Sequence, residues 1–77
     1  MTQATSKPKY WMGNTYSCDI CAGAFGKDLY DARTVPGPWA TMCKDCFRRY
    51  GATKSLGTGS GQHYELQLDN RWIKVEG

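Results

Sequence analysis

Two residues separate Cys18 from Cys21, and two separate Cys43 from Cys46. These are all the cysteines of the 77-residue chain. The pattern C-x2-C-x21-C-x2-C is close to the spacing of a zinc site built from two cysteine pairs. Two thiolates so spaced grip one ion from a tight turn. Two such turns complete a tetrahedron with Zn–S at about 2.3 Å. Protein then fills all four positions and none is left for water or substrate, which marks a structural ion. One structural Zn2+ is the expected cofactor. Iron is the alternative, because four thiolates suit it too. Two disulfides would need a secreted context. A thioredoxin-like redox pair needs one CxxC within a βαβ pattern, for which the chain is too short.

Other residues carry weaker chemical signals. His63 is the single histidine, and on a strand beside a glycine loop it reads as a surface or packing residue. With the cysteines committed to metal, no free thiol nucleophile remains, so no enzymatic activity is expected. Gly57, Gly59 and Gly61 fall in Leu56-Gly57-Thr58-Gly59-Ser60-Gly61. Closely spaced glycines can present backbone N–H groups to an anion, but no Walker or G-x-G-x-x-G pattern is present. A tightly turned connector is the simpler reading. Lys44, Arg48, Arg49 and Lys54 stand against Asp45 alone within residues 44–54. Lys44, Arg48 and Lys54, beside the glycine loop, are the expected contacts to a nucleic-acid backbone. The same charges also suit an ordinary solvated helix face. Trp72 is the expected exposed aromatic, stacking on a base or anchoring a protein partner, unless it packs against Tyr10 and Trp11.

Composition limits the choices. A chain this short rarely buries enough apolar surface to stand by its core alone, and a metal is one usual staple. The formal charge of +3 counts cysteines as neutral. Four thiolates and one Zn2+ together add −2, so the loaded domain is near +1. Net charge therefore gives no reason to expect a polyanionic partner. Residues 1–9 are polar and read as a flexible tail with no signal-peptide core. No run approaches the length of a membrane span. These features lead us to expect a monomer in a reducing cytoplasm, with no membrane contact.

The ordered domain should span 10–77. Tyr10-Trp11-Met12 reads as an edge strand. Cys18 to Gly26 is the first metal turn, with Gly23 placed to free an N–H for sulfur. Lys27 to Val35 and Trp39 to Met42 form a hairpin through Val35-Pro36-Gly37-Pro38. Cys43 opens a helix over Lys44–Tyr50 that Gly51 ends, with Cys46, Phe47 and Tyr50 facing inward. Residues 52–62 form the glycine loop and 63–77 a second hairpin turning at Asp69-Asn70. That turn pairs Leu66 with Ile73, Glu65 with Lys74 and Tyr64 with Val75. It puts Tyr64, Leu66, Ile73 and Val75 on the face packed against the metal module, and Trp72 on the polar face. Tyr16, Phe25, Tyr30, Phe47 and Tyr50 should build the core around the metal.

Metal turn, hairpin, then a helix carrying the second cysteine pair: over residues 18–51 this order resembles the treble-clef zinc fold. The fold class expected is thus small α+β, zinc-stapled and treble-clef-like, with an added C-terminal hairpin. Gly37-Pro38-Trp39-Ala40, Met42-Cys43-x-x-Cys46, Leu56-Gly57-Thr58-Gly59-x-Gly61-Gln62 and Arg71-Trp72-x-Lys74-Val75 resemble segments of small zinc proteins encoded by tailed bacteriophages. That resemblance implies a host cytoplasm and no settled activity. Two roles follow: a nucleic-acid-binding accessory or regulatory factor, or a protein-interaction module acting on a host or phage protein.

Overall fold

The computed structural model describes residues 9–52, 55–57 and 59–77. Residues 1–8 of the expected tail, and Lys54 of the expected basic cluster, lie outside them. The described chain contains strands β1 (Asp28–Arg33) and β2 (Trp39–Met42), helix α1 (Lys44–Tyr50), then strands β3 (Gly61–Leu66) and β4 (Trp72–Glu76). The strands form one antiparallel sheet in the order β2-β1-β3-β4. The C-terminal hairpin was expected to lay its apolar face on the metal module. Instead it joins the first hairpin edge to edge, β3 pairing with β1 from Asp28↔Glu65 to Ala32↔Gly61.

The close contact of β1 with β3 explains a glycine. A Cβ on Gly61 would stand 2.5 Å from the Ala32 Cβ, and φ at Gly61 is +149°. Any side chain there would force the strands apart. Gly61 therefore starts β3 rather than lying in the loop. Gly51 acts in a similar way at the end of α1. Its φ of −61° is ordinary, but an added Cβ would meet the Phe47 carbonyl oxygen at 2.7 Å and its ring at 2.9 Å.

Side chains cover the sheet on both faces. On one, α1 lays Phe47 flat against Tyr30, with ring centroids 4.3 Å apart, and Tyr30 stacks in turn on His63 at 4.2 Å. On the other, the segment before β1 brings Trp11 against Tyr64 and Phe25 edge-on to Trp72. Leu29 and Met42 are fully buried. Of the five aromatics expected in the core, Phe25, Tyr30 and Phe47 are buried, whereas Tyr16 is 90% and Tyr50 43% exposed.

The sheet edges are both occupied. Trp11 N–H donates to the Trp72 carbonyl and Lys74 N–H to that of Lys9, along β4. This agrees with the expected N-terminal edge strand, reduced here to a single bridge at Tyr10↔Ile73. Beyond β2, Asp19 N–H donates to the Thr41 carbonyl at 2.8 Å. A covered edge offers little template for a further strand.

The register of the last hairpin differs by one residue from the expected one. Leu66 stands opposite Trp72, Glu65 opposite Ile73 and Tyr64 opposite Lys74. A two-residue type I′ turn needs positive φ at both positions, and of Asp69 and Asn70 only Asn70 has it, at 69°. The chain uses a three-residue loop instead. Asn70 N–H donates to the Gln67 carbonyl at 2.9 Å and Gln67 N–H to the Arg71 carbonyl at 2.8 Å. The Asp69 carboxylate accepts from Arg71 N–H at 3.1 Å and from its Nε at 2.8 Å. A slip of one residue exchanges the faces of a strand. Trp72 thus lies in the core, 8% exposed, and is not the surface aromatic the sequence suggested.

Removing that ring should cost stability. Trp72→Ala is expected to lose about 3–5 kcal/mol, read by urea unfolding of the metal-loaded protein. A change under about 1 kcal/mol would contradict the register described.

Candidate metal centre

The first cysteine pair sits in a tight reversal whose backbone aims at sulfur. Ala22 N–H donates to the Cys18 carbonyl at 2.9 Å, and Cys18 N–H to the Gly23 carbonyl at 2.8 Å. The turn leaves two N–H groups pointing at thiols. Ile20 N–H faces Cys18 Sγ and Gly23 N–H faces Cys21 Sγ, each at 3.4 Å. Gly23 thus does what its position suggested. The unexpected member is Ala22, a residue with a Cβ held at φ 63°.

What holds this turn near the second pair is Asp19. Its backbone N–H donates to the Thr41 carbonyl, and its carboxylate accepts from the Thr41 N–H at 2.8 Å. Thr41 is buried in β2, two residues before Cys43. Cys43 then serves as N-cap of α1 with no side-chain cap hydrogen bond, though the Cys46 N–H still favours its thiolate. One turn on, Cys46 is buried beneath the helix.

The four Sγ atoms lie within 4.8 Å of one another, an arrangement that can hold a metal ion. Cys21 Sγ and Cys43 Sγ, one from each pair, are 3.8 Å apart. Sulfurs at about 2.3 Å from a tetrahedral ion are separated by about 3.8 Å. The residues present therefore fit such an ion. Cys18 and Cys46 are buried, Cys43 half-buried and Cys21 exposed.

The thiols constrain one another's ionisation. Burial pushes Cys18 up, but the N–H groups of Cys21, Cys43 and Ile20 and the Cys46 thiol outweigh it and bring its pKa down to about 7. Burial pushes Cys43 up, against the N–H of Cys46. Cys46 is driven up by burial first and then by its three thiol neighbours. One thiolate in such a cluster opposes the next. A cation at the centre reverses that sign for all four.

The remaining sequence-derived residues separate. Lys44 and Arg48 lie exposed on α1 as expected. The glycine loop closes on itself. Gly57 N–H donates to the Gly61 carbonyl at 2.8 Å, and Gly61 N–H to the Gly57 carbonyl at 2.9 Å. Gly57 and Gly61 thus have no free N–H for an anion, contrary to the phosphate reading, and the connector is what these glycines make. Gly59 sits exposed at φ 84° within it. Trp72 is buried and Lys54 lies outside the described residues.

Sequence reasoning missed two features. One is the Asp19–Thr41 clamp, which depends on β2 lying beside the metal turn. The other is His63, which is hydrogen-bonded to Asp28 Oδ1 at 2.8 Å through Nε2. Alternation along a strand puts His63 on a face with Glu65, but only the pairing of β1 with β3 brings Asp28 to them. No protein-family model, curated protein or solved structure matches the chain.

Two outcomes follow from this geometry. Cys43 and Cys46, with raised pKa values, are protonated near neutrality, and a bound ion must displace both protons. Affinity is therefore expected to fall by at least about a hundredfold for each pH unit lowered, and more steeply below about pH 7, where Cys18 is protonated too, measured by chelator competition between about pH 6 and about pH 8. A flat profile would exclude these thiols as ligands. Ala22→Gly should raise the stability of the loaded protein by about 1 kcal/mol, because glycine adopts the left-handed conformation without strain. Unchanged or lower stability in thermal unfolding would count against that backbone conformation.

Proposed function

We propose that the chain is a zinc-stapled, treble-clef-like domain whose ion is structural, and that it serves as a non-catalytic accessory factor contacting a nucleic-acid backbone through α1. The observation that carries the metal reading is the gathering of four sulfurs within 4.8 Å of one another, with one pair at the 3.8 Å edge of a zinc–thiolate tetrahedron. Four protein donors complete that shell and leave the ion no position for substrate. Zinc rather than iron is favoured by the pattern of the pairs. The treble-clef reading is supported by the order of the elements: sulfur-directed turn, β1–β2 hairpin, then α1 with Cys43 at its cap and Cys46 in its first turn. The resemblance to small phage zinc proteins rests on the quoted sequence segments alone.

The nucleic-acid reading rests on Lys44, Arg48 and Arg49, all exposed on one short helix, with the metal turn beside it. It no longer draws on Gly57 and Gly61, whose N–H groups are used within the loop. A second reading, a protein-interaction module, is favoured by a different observation. Val35 is 70%, Trp39 46% and Tyr50 43% exposed, and Val35 N–H donates to the Tyr50 carbonyl, so the main chains of two of these residues are adjacent. Any aromatic anchor would then be Trp39 rather than Trp72.

An amide NMR titration of zinc-loaded protein with short duplex and single-stranded DNA distinguishes the two. Saturable shifts at Lys44 and Arg48 are expected at low salt. Raising the salt should abolish them, and the double charge reversal Lys44→Glu, Arg48→Glu should weaken binding by about tenfold or more. A spectrum unmoved by either DNA at low salt would overturn the nucleic-acid reading. Attention would then pass to Val35, Trp39 and Tyr50.

A further inference from the structure

A second group of metal-ligating side chains lies on the sheet, away from the cysteines in sequence. Asp28 opens β1, and His63 and Glu65 alternate along β3. Asp28 stands directly opposite Glu65, and Tyr30 opposite His63. The side chains of all three therefore rise from the same face. One donor atom from each lies within 4.8 Å of the others.

The histidine is held in place. Its ring is parallel to Tyr30, 7° between planes, and Tyr30 is parallel to Phe47. Its side chain is 13% exposed, and that of Asp28 26%. A ring so stacked has little freedom to turn its Nε2 elsewhere. The Nε2–Oδ1 separation is 2.8 Å. Two donors at about 2.1 Å from one ion, at right angles to it, are separated by about 3.0 Å. The pair is thus already spaced as adjacent ligands of an octahedral ion.

The far strand adds to this. Through the rest of the hairpin the pairing would put Val75 opposite His63. The ladder shifts between His63 and Tyr64, and Glu76 is the residue opposite His63 instead. Bulges of this kind re-aim side chains, and here a carboxylate takes the place of an isopropyl group.

We propose that Asp28, His63 and Glu65 form a second cation site, distinct from the four cysteines, that takes a divalent first-row metal with mixed nitrogen and oxygen ligands. Imidazole selects such metals over calcium, and two carboxylates make the site harder than the thiolate one. The ion takes the place of the hydrogen bond between His63 and Asp28. The imidazole gives its Nε2 proton to solvent and takes one from solvent at Nδ1, so that the Nδ1–H tautomer offers the Nε2 lone pair. Three protein ligands leave positions for water or an anionic ligand, and Glu76 stands across from the histidine. The inference is independent of the role proposed for α1 and of which ion the cysteines hold.

Mn2+ is the probe, because it is hard and a poor competitor for thiolate-bound zinc. It is added to zinc-loaded protein, with amide and imidazole NMR signals followed. Saturable paramagnetic broadening centred on Asp28, His63 and Glu65 is expected, at one Mn2+ per chain. Asp28→Asn and Glu65→Gln should each raise the half-saturating Mn2+ concentration by about tenfold or more. Glu65 is exposed, so its variant keeps the fold even where Asp28→Asn does not. Absence of saturable broadening, or broadening that survives Glu65→Gln unchanged, would overturn the proposal. DNA binding through α1 is read from diamagnetic shifts without Mn2+, so the two proposals fail separately.

Discussion

Four thiols cannot share so small a space as anions without a cation among them. That electrostatic constraint organises the domain. Segments more than twenty residues apart in sequence bring their sulfurs within 4.8 Å. Burial, with the neighbouring thiols, raises Cys43 and Cys46, while backbone N–H groups and the Cys46 thiol bring Cys18 down. A divalent ion converts this mutual opposition into attraction, and the backbone is arranged to receive it. N–H groups face Cys18 and Cys21 in the turn. Cys43, as the N-cap of α1, sets the second pair at the start of the helix.

The clamp between Asp19 and Thr41 transmits that arrangement to the sheet. A main-chain bond one way and a carboxylate bond the other tie the metal turn to β2, and β2 leads directly into Cys43 and α1. Beyond α1 the chain returns to the end of β1. Val35 N–H reaches the Tyr50 carbonyl and Ala52 N–H that of Arg33. The helix is therefore pinned at both ends, and Phe47 lies against Tyr30 between them.

Local features were readable where local chemistry decides. The limits of α1, the hairpin from β1 to β2 and the role of Gly23 follow from periodicity, turn residues and the geometry of a CxxC turn. Even there, the hydrogen bond that closes the first hairpin runs from Gly37 N–H to the Thr34 carbonyl, one residue earlier than the Pro-Gly pair suggested. Gly51 was readable as a stop, though its reason is contact with Phe47 and not a left-handed turn. The last hairpin was misread because apolar and charge pairing both favoured a two-residue turn. Asp69 would have had to take positive φ for that turn to form. A third loop residue was the easier solution, and it carried Trp72 into the core.

By itself, the sequence determined that four cysteines come in two pairs spaced to hold one metal ion, and where α1 and the first hairpin lie. Both follow from interactions among residues close in sequence: two sulfurs biting from one turn, one helix stopped by one glycine. Only the tertiary structure decided which face of β4 is buried, that the glycine loop closes on itself, and that Asp28 meets His63 and Glu65. Those depend on the register of strands far apart in the chain, and a shift of one residue reverses every side chain on the strand.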